Sequence, residues 1–283
     1  MSPQPDRRPR LPAMFIPHGA GPCFFMDWTI GPADTWEPLA EFLRSFDHLV
    51  GSRPDAVVVV SGHHEGDVVE IGSCPRPPML FDYYGFPDHT YELSYPAPGS
   101  PALAGRVGEL LDAVGIDHRF DPDRGFDHGV FVPFLLMYPD AEIPVVQVSL
   151  RSDLDAYFHL GLGEALTPLR DEGVLIVGSG LSYHNMSAFR TSHAVRDSRI
   201  FDDWLDAACT AKPSTRQSKL ANWDQAPAAR AAHPRQEHLM PLMVVAGAAR
   251  HDIGRTVFRD TVMGATISGY AFGDPSVTNK KVL

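Results

Sequence analysis

Histidine is the residue whose number and placement in this chain could do chemistry. The sequence has 13 histidines, and several of them follow apolar segments with the composition of strands. His18 follows AMFIP, His63 and His64 follow VVVVSG, and His184 follows VLIVGSGLSY. Ligands of α/β sheets collect outside the carboxyl ends of the strands, so these imidazoles are expected to meet at one rim. A cluster of neutral imidazoles suits a borderline divalent metal such as Zn, Fe, Ni or Cu.

Two further histidines lie outside the strand ends. His128 stands in GFDHGVF, and His238 stands in EHLMPL within a predicted helix. A single histidine of this kind is most often a satisfied core residue, but the rim histidines raise the expectation that both join them. Glu237 offers a carboxylate, yet neighbouring side chains on a helix point about 100° apart. Only one of Glu237 and His238 is therefore expected to bind the ion.

Other chemistries and partners lack their sequence signals. The motifs HExxH, GxSxG, GxGxxG and GxxxxGK[ST] are absent. Cys23, Cys74 and Cys209 are far apart, which excludes a CxxC zinc site; with no secretory signal, they predict a reducing cytoplasm. The net charge of −11 argues against nucleic acid as a partner. No apolar run approaches the roughly 18 residues that span a membrane.

The elements that must position the histidines alternate between strands and helices. Strands are predicted at residues 13–19, 55–64, 67–73, 143–150, 174–185 and 266–273. Helices are predicted at residues 35–46, 100–115, 154–173, 196–209 and 234–249, and within 124–140. Thr35 and Ser100 are the expected helix caps, and Pro241 is expected to kink its helix. The alternation predicts an α/β sandwich with a mainly parallel sheet, as one catalytic domain over residues 12–283 after a flexible leader, residues 1–11.

Residues 74–99 form a long segment that is rich in proline and aromatic residues. It has too many aromatic residues for a disordered linker and too many prolines for a helix. Such a loop is usually functional, so it predicts a lid or a pocket wall, the alternative being a packed excursion over the core. Candidate substrate contacts in it are Tyr83, Tyr84, Phe86, His89, Tyr91 and Tyr95.

Taken together, these segments resemble the class III extradiol ring-cleaving dioxygenases, and among them the 4,5-DOPA extradiol dioxygenase type. The matching segments are PHGAG, VVVVSGHH, GFPDHTYELSYPAPGSPALA, GFDHGVF, MYPDAEIPVVQVSL, SGLSYHN and EHLMPL, in the family's order. The resemblance implies a three-layer α/β/α sandwich around a mixed sheet. It also implies a metal-dependent enzyme that uses O2 as co-substrate to open the aromatic ring of a catechol. Fe(II) is the metal implied for this chemistry, zinc can be found at such sites, and the chain is expected to be a monomer or homodimer.

The resemblance also implies roles for individual residues. His18, His63 and His238 are implied as metal ligands. His184 lies at the position of the catalytic base, and could coordinate as well when zinc is bound. His128 is implied as the catalytic acid over the substrate, and Asp127 is expected to orient it.

The chain departs from the family pattern beside the predicted metal. His64 stands where a common form of the family has Trp, and the HG motif continues as GAGPCFFMDW instead of HGSP. These departures leave ring opening as the predicted reaction, but they make the predicted substrate a DOPA-like or other substituted catechol rather than DOPA in particular. His64, Tyr83, His89 and Tyr95 are the residues predicted to contact it. Two rival functions remain at this point: a zinc-dependent hydrolase on the same scaffold, and a non-enzymic metal-binding protein with a closed four-histidine site.

Overall fold

One mixed sheet runs through the protein, for which a computed structural model describes residues 10–273. Its strand order is β4-β3-β5-β2-β6-β1-β8-β7. The strands are β1 (Ala13–Pro17), β2 (Ala56–Gly66), β3 (Val69–Gly72), β4 (His118–Asp121), β5 (Val145–Arg151), β6 (Val174–Gly180), β7 (Gly254–Val262) and β8 (Ala265–Phe272). Residues 1–9 of the predicted leader, and residues 274–283 of the predicted domain, lie outside the described residues.

The centre of the sheet is parallel. Strands β5, β2, β6 and β1 are neighbours that run in one direction. Antiparallel pairing of β8 with β1 and β7, and of β3 with β5, makes the sheet mixed. The four consecutive valines of β2, residues 57–60, are fully buried, as expected for a strand covered on both faces. Because β2, β6 and β1 are adjacent and parallel, their carboxyl ends meet at one rim.

Helices cover both faces of this sheet. They are α1 (Glu37–Arg44), α2 (Phe46–Val50), α3 (Pro101–Asp112), α4 (His128–Met137), α5 (Ala156–Leu166), α6 (Ser192–Cys209), α7 (Pro213–Ala221), α8 (Ala229–Ala232) and α9 (Met240–Ala248). Helix α9 packs on α5 and on strands β1, β2 and β6, whereas α4 packs on α1 and on β2 and β6. The predicted α/β sandwich is therefore confirmed. Among the described residues, no helix has both the length and the apolar character to cross a membrane.

Two predicted details of the helix ends are wrong. Thr35 does not cap α1, which begins two residues later; its hydroxyl donates to the carbonyl of Pro32 instead. Pro241 does not kink a helix, because α9 begins only at Met240 and the proline lies in its first turn. A proline costs nothing there, since that position needs no amide hydrogen bond. Ser100 does cap α3, as predicted, by accepting a hydrogen bond from the amide of Leu103.

The sequence pattern missed five of these strands and helices in the described residues: β4, β7, α2, α7 and α8. Strands β4 and β7 form the two edges of the sheet, and α7 lies near the carboxyl end of α6. The edge strands carry many polar side chains and no residue run typical of a buried strand. Strand β4 pairs with β3, which lies far away in sequence, whereas β7 forms a hairpin with β8. The periodicity of apolar residues predicts neither pairing.

Candidate metal centre

Adjacent strands of the parallel centre bring the rim histidines together. His18 directly follows β1, and its amide donates to the carbonyl of Gly180 at the end of β6. Strand β2 continues two residues beyond the predicted end at His64, but its pairing with β5 shifts register between Val60 and Glu65. His63 lies within that shifted segment, where the strand leaves regular pairing. His18 and His63 therefore lie next to each other at this rim, with ring centroids 5.0 Å apart.

A turn before α9 carries His238 to the same rim. The carbonyl of His238 accepts a hydrogen bond from the amide of Leu181, just after β6. A Cβ atom on Gly180 would lie 2.1 Å from that carbonyl oxygen, and one on Gly62 would lie 3.2 Å from the Cα of His238. The close approach of this turn to the strands therefore depends on glycine at position 180 above all.

Replacing Gly180 by alanine is expected to push the turn away from β6. We expect the free energy of unfolding to fall by about 1–3 kcal/mol, as for other overpacked sites, and metal binding to weaken. Urea denaturation and a metal titration measure the two effects. Gly105→Ala in α3 is the matched control, because a Cβ atom there meets nothing within 4 Å. Wild-type stability and metal affinity in the Gly180→Ala protein would show that the turn does not need this close approach.

His18, His63 and His238 converge on one point, and we call them the three-histidine group. Their ligand atoms all lie within 4.8 Å of one another. The ring centroid of His18 lies 5.0 Å from that of His63 and 5.2 Å from that of His238. The ring centroids of His63 and His238 are 4.6 Å apart. Burial lowers the pKa of all three imidazoles, that of His63 to about 4. They are therefore neutral near pH 7, the form that binds a metal.

Glu237 lies behind the group and joins two imidazoles. Its Oε1 accepts hydrogen bonds from Nδ1 of His184 at 2.9 Å and from Nδ1 of His238 at 2.8 Å. Burial opposes ionisation of this carboxyl, but these two hydrogen bonds outweigh it and hold its pKa well below the usual range. An ionised carboxylate only accepts, so both histidines carry their proton on Nδ1 and leave Nε2 free. The structure thus places His238 in the three-histidine group and Glu237 beside it, in a turn that is not helical.

Asp82 has the corresponding position on the other side of the group. Its Oδ1 accepts from the backbone amide of His128 at 2.9 Å and from Nδ1 of the same residue at 2.8 Å. Its Oδ2 lies 3.5 Å from Nδ1 of His63. Burial opposes ionisation, but the hydrogen bond and the charge of His128 lower the pKa of Asp82 to about 2.

Asp127, the carboxylate predicted to orient His128, is engaged elsewhere, so that prediction is wrong. It is fully buried and accepts hydrogen bonds from Ser61, Arg124 and Gln147. Asp127 immediately precedes α4, where an extended backbone directs its side chain toward the sheet and away from the ring of His128.

The three-histidine group has the properties of a cation site. Within the described part of the chain, neither ring nitrogen of His18 has a hydrogen-bond partner, although both are buried. Nε2 of His63 lies 3.1 Å from Nε2 of His238. When both rings carry their proton on Nδ1, two lone pairs face each other at this distance and repel unless a cation lies between them. Nitrogen ligands about 2.0–2.1 Å from one metal stand roughly 3–3.4 Å apart, which the observed separation matches.

His184 is beside the group but does not converge with it. Its ring stacks on that of His238, with centroids 3.5 Å apart and an interplanar angle of 26°. The lone pairs of ring nitrogens lie in the ring plane, so two stacked rings do not direct them at one ion. The side chain of His184 is also 19 % exposed, whereas that of His238 is 5 % exposed.

Of the predicted substrate contacts, the structure brings Tyr83 to the histidines. Its ring centroid lies 5.8 Å from that of His128, and its hydroxyl donates to the carbonyl of Thr90. Phe81, Phe86, Tyr91 and Phe131 surround its ring. The loop of residues 74–99 therefore forms an aromatic wall beside the histidines.

The other predicted contacts lie elsewhere. His64 is buried with its Nε2 2.8 Å from Glu70, because successive side chains of a strand point to opposite faces. Tyr95 is fully buried against Phe126 and Phe134. His89 is exposed, and its Nε2 lies 3.0 Å from the carbonyl oxygen of Phe25.

Asp82 is the residue at this site that sequence reasoning missed. The only signal for it is an acidic residue in the otherwise apolar and aromatic stretch MLFDYYGF. The histidines supply partners for this carboxylate. Arg235, which pairs with Glu65 and lies 3.4 Å from Oε2 of Glu237, gave no signal in the sequence.

The chain is similar to known proteins in sequence and in fold. Residues 12–273 match the family described as the catalytic LigB subunit of aromatic ring-opening dioxygenase. A Beta vulgaris protein named 4,5-DOPA dioxygenase extradiol is 40% identical over 224 residues, which cover 76% of this chain and 81% of that protein. The Escherichia coli K12 protein of the same name is 35% identical over 84% of this chain and 85% of its own length. The crystal structure of an uncharacterized E. coli K12 protein superposes with a TM-score of 0.74 at 30% identity, covering 93% of this chain and all of that one.

Proposed function

Because the chain belongs to the LigB family of aromatic ring-opening dioxygenases, we propose that its three-histidine group binds Fe(II) and that a substituted catechol is opened there. The enzyme is an extradiol dioxygenase that depends on a metal, and its substrate is a small aromatic molecule. We propose three further features of this activity: the identity of the metal, the roles of the histidines and the substituent on the catechol ring.

One observation carries the assignment of the metal ligands. His18 is buried at the rim with both ring nitrogens unpartnered among the described residues, next to two neutral imidazoles. A buried polar group without a partner costs about 1–3 kcal/mol, so this arrangement is unfavourable unless a ligand completes it. Zn(II) is a second ion that three imidazoles can bind.

Bound Fe(II) would allow O2 to react with the catechol and would acidify the catechol hydroxyl group. His184 is proposed to take the proton of that hydroxyl. Its Nδ1 proton is held by Glu237, so Nε2 is the basic atom, and its partly exposed ring can pass the proton to solvent.

His128 is proposed as the acid in the ring-opening step. The ring centroid of His128 lies 4.0 Å from that of His63 and 5.3 Å from that of His18. His128 therefore faces the same space as the proposed metal ligands. The carboxylate of Asp82 on Nδ1 stabilises the charged imidazolium, from which Nε2–H can be donated to a leaving oxygen.

A catechol with a DOPA-like side chain is the proposed substrate. The relatives named 4,5-DOPA dioxygenase support it, and the aromatic wall around Tyr83 suits a phenyl ring. The presence of His64 where a common form of the family has Trp does not argue against DOPA as the substrate. The side chain of His64 contacts Glu70 and points away from the three-histidine group.

We also propose the wider setting of the enzyme. A single catalytic domain from residue 12 onward is supported by one continuous sheet and by the family match. Three free cysteines, two of them buried, support a reducing compartment such as the cytoplasm. A monomer or a homodimer is the proposed state of the chain.

The experiment compares metal-free protein with protein loaded anaerobically with Fe(II) or with Zn(II). We expect the Fe(II) form to consume O2 in an amount equimolar with DOPA or a related catechol, and the Zn(II) form to consume none. An oxygen electrode and product absorbance measure this. If the Fe(II) form consumed no O2 with any catechol, the proposal would be wrong; ester or amide hydrolysis by the Zn(II) form would then identify a hydrolase.

A further inference from the structure

We propose that Asp82 is a positioning residue, which holds the imidazoles of His128 and His63 with Nε2 turned toward the three-histidine group. The inference rests on the proposed function, since it concerns the same metal ligands. It assigns a role to the loop of residues 74–99 beyond that of an aromatic wall.

The contacts of Asp82 are divided between the two histidines. Oδ1 accepts both the backbone amide and the Nδ1 proton of His128, whereas Oδ2 faces Nδ1 of His63. A carboxylate that contacts Nδ1 of an imidazole selects the tautomer with a free Nε2. For His63 this is the nitrogen that lies 3.1 Å from Nε2 of His238, inside the group.

Backbone pairing holds Asp82 in this place. Met79 and Phe126 form a parallel bridge, in which the amide of Phe126 donates to Pro78 and the amide of Leu80 donates to Phe126. Asp82 follows two residues after Leu80, and His128 follows two residues after Phe126. The two side chains therefore meet because their chain segments leave the same short bridge side by side.

The arrangement repeats, with different residues, on the other side of the site. Glu237 contacts Nδ1 of His238, a proposed ligand, and Nδ1 of His184, the proposed base. Asp82 contacts Nδ1 of His63, a proposed ligand, and Nδ1 of His128, the proposed acid. Each carboxylate thus joins one metal ligand to one proton-transferring imidazole. Carboxylates behind metal-bound histidines typically contribute 10–100-fold to metal affinity or activity.

Asp82→Asn tests the proposal with little change in shape. The amide oxygen can still accept both hydrogen bonds from His128, which turns the amide NH2 group toward Nδ1 of His63. Two donors then face each other, so His63 is expected to move its proton to Nε2, which cannot bind a metal in that form. We expect Zn(II) affinity, measured by competition with a chromophoric chelator, to fall about 10–100-fold.

Asp88→Asn is the matched control, because Asp88 is an exposed carboxylate in the same loop. It should bind Zn(II) like the wild type. A wild-type protein that bound no metal would refute the proposed function, whereas equal affinity of wild type and Asp82→Asn would refute only the role of Asp82.

A measurement on the wild type makes the test independent of folding of the variant. Long-range ¹H–¹⁵N NMR of the Zn(II)-loaded protein identifies which nitrogen of each histidine ring carries the proton. We expect the proton on Nδ1 for His63, and an Nδ1 proton on His128 as well. An Nε2 proton on His63, or a bare Nδ1 on His128, would overturn the proposal.

Discussion

Replacing His18 by leucine is expected to abolish metal binding and ring opening without destabilising the metal-free protein. His18 is buried, and its two ring nitrogens have no partner in residues 10–273, so it stabilises the fold little in the absence of a metal. Leucine has a similar volume and no polar atoms. We therefore expect the free energy of unfolding, measured in chelator, to rise by about 1 kcal/mol. Activity of the Fe(II)-treated variant should fall at least about a thousandfold, because bound metal supplies several kcal/mol of transition-state stabilisation.

His159→Leu is the matched control for this result. His159 is equally buried, but both of its ring nitrogens are paired: Nε2 accepts from the amide of Arg151 and Nδ1 contacts the carbonyl of Asp155. Its replacement should lower the free energy of unfolding by about 1–3 kcal/mol and leave metal stoichiometry unchanged. If His18→Leu instead lost stability like the control and still bound the metal, His18 would be a structural residue.

His184→Ala is expected to lower kcat about 100- to 10,000-fold while the protein keeps its metal. This is the usual contribution of a general base, and the stacked ring of His184 does not converge with the three-histidine group. Metal analysis and steady-state O2 uptake on the same preparation separate the two effects. Because His184 is proposed to act by transferring a proton, added imidazole is expected to restore part of kcat.

His193→Ala provides the comparison, since His193 is an exposed histidine in the first turn of α6. It should match the wild type in both measurements. Loss of the metal in His184→Ala, with His193→Ala unaffected, would make His184 a ligand and contradict its assignment as the base.

Much of the fold could be predicted, because its central elements have strong local signals. The apolar run of residues 57–60 is a buried parallel strand, and the membership in the ring-opening dioxygenases predicted from the ordered histidine motifs is confirmed. Edge strand β4 was missed, since its partner β3 comes from a distant part of the chain. Edge strand β7 was missed although it forms a hairpin with β8, because its polar side chains break the pattern of a buried strand. The helix predicted from Pro234 begins only at Met240, where Pro241 fits the first turn.

The order of residues along the chain indicates which residue types could form the site and on which strands most of them lie. His18 and His184 come after strands β1 and β6, and His63 lies near the end of β2. These three strands are parallel neighbours, so their shared direction brings the histidines to one rim. Successive side chains along a strand point to opposite faces of the sheet, so the side chains of His63 and His64 are expected to have different surroundings.

The contacts between carboxylates and imidazoles depend instead on how distant segments of the chain pack together. Asp127 is adjacent to His128 in sequence, but it bonds to Ser61 and Gln147, whereas Asp82 comes from a loop 46 residues away. The position of that loop depends on a backbone bridge between Met79 and Phe126, which no local periodicity encodes. The strands thus place His18 and His63, while long-range contacts bring in His238 and determine the orientation and protonation of the rings.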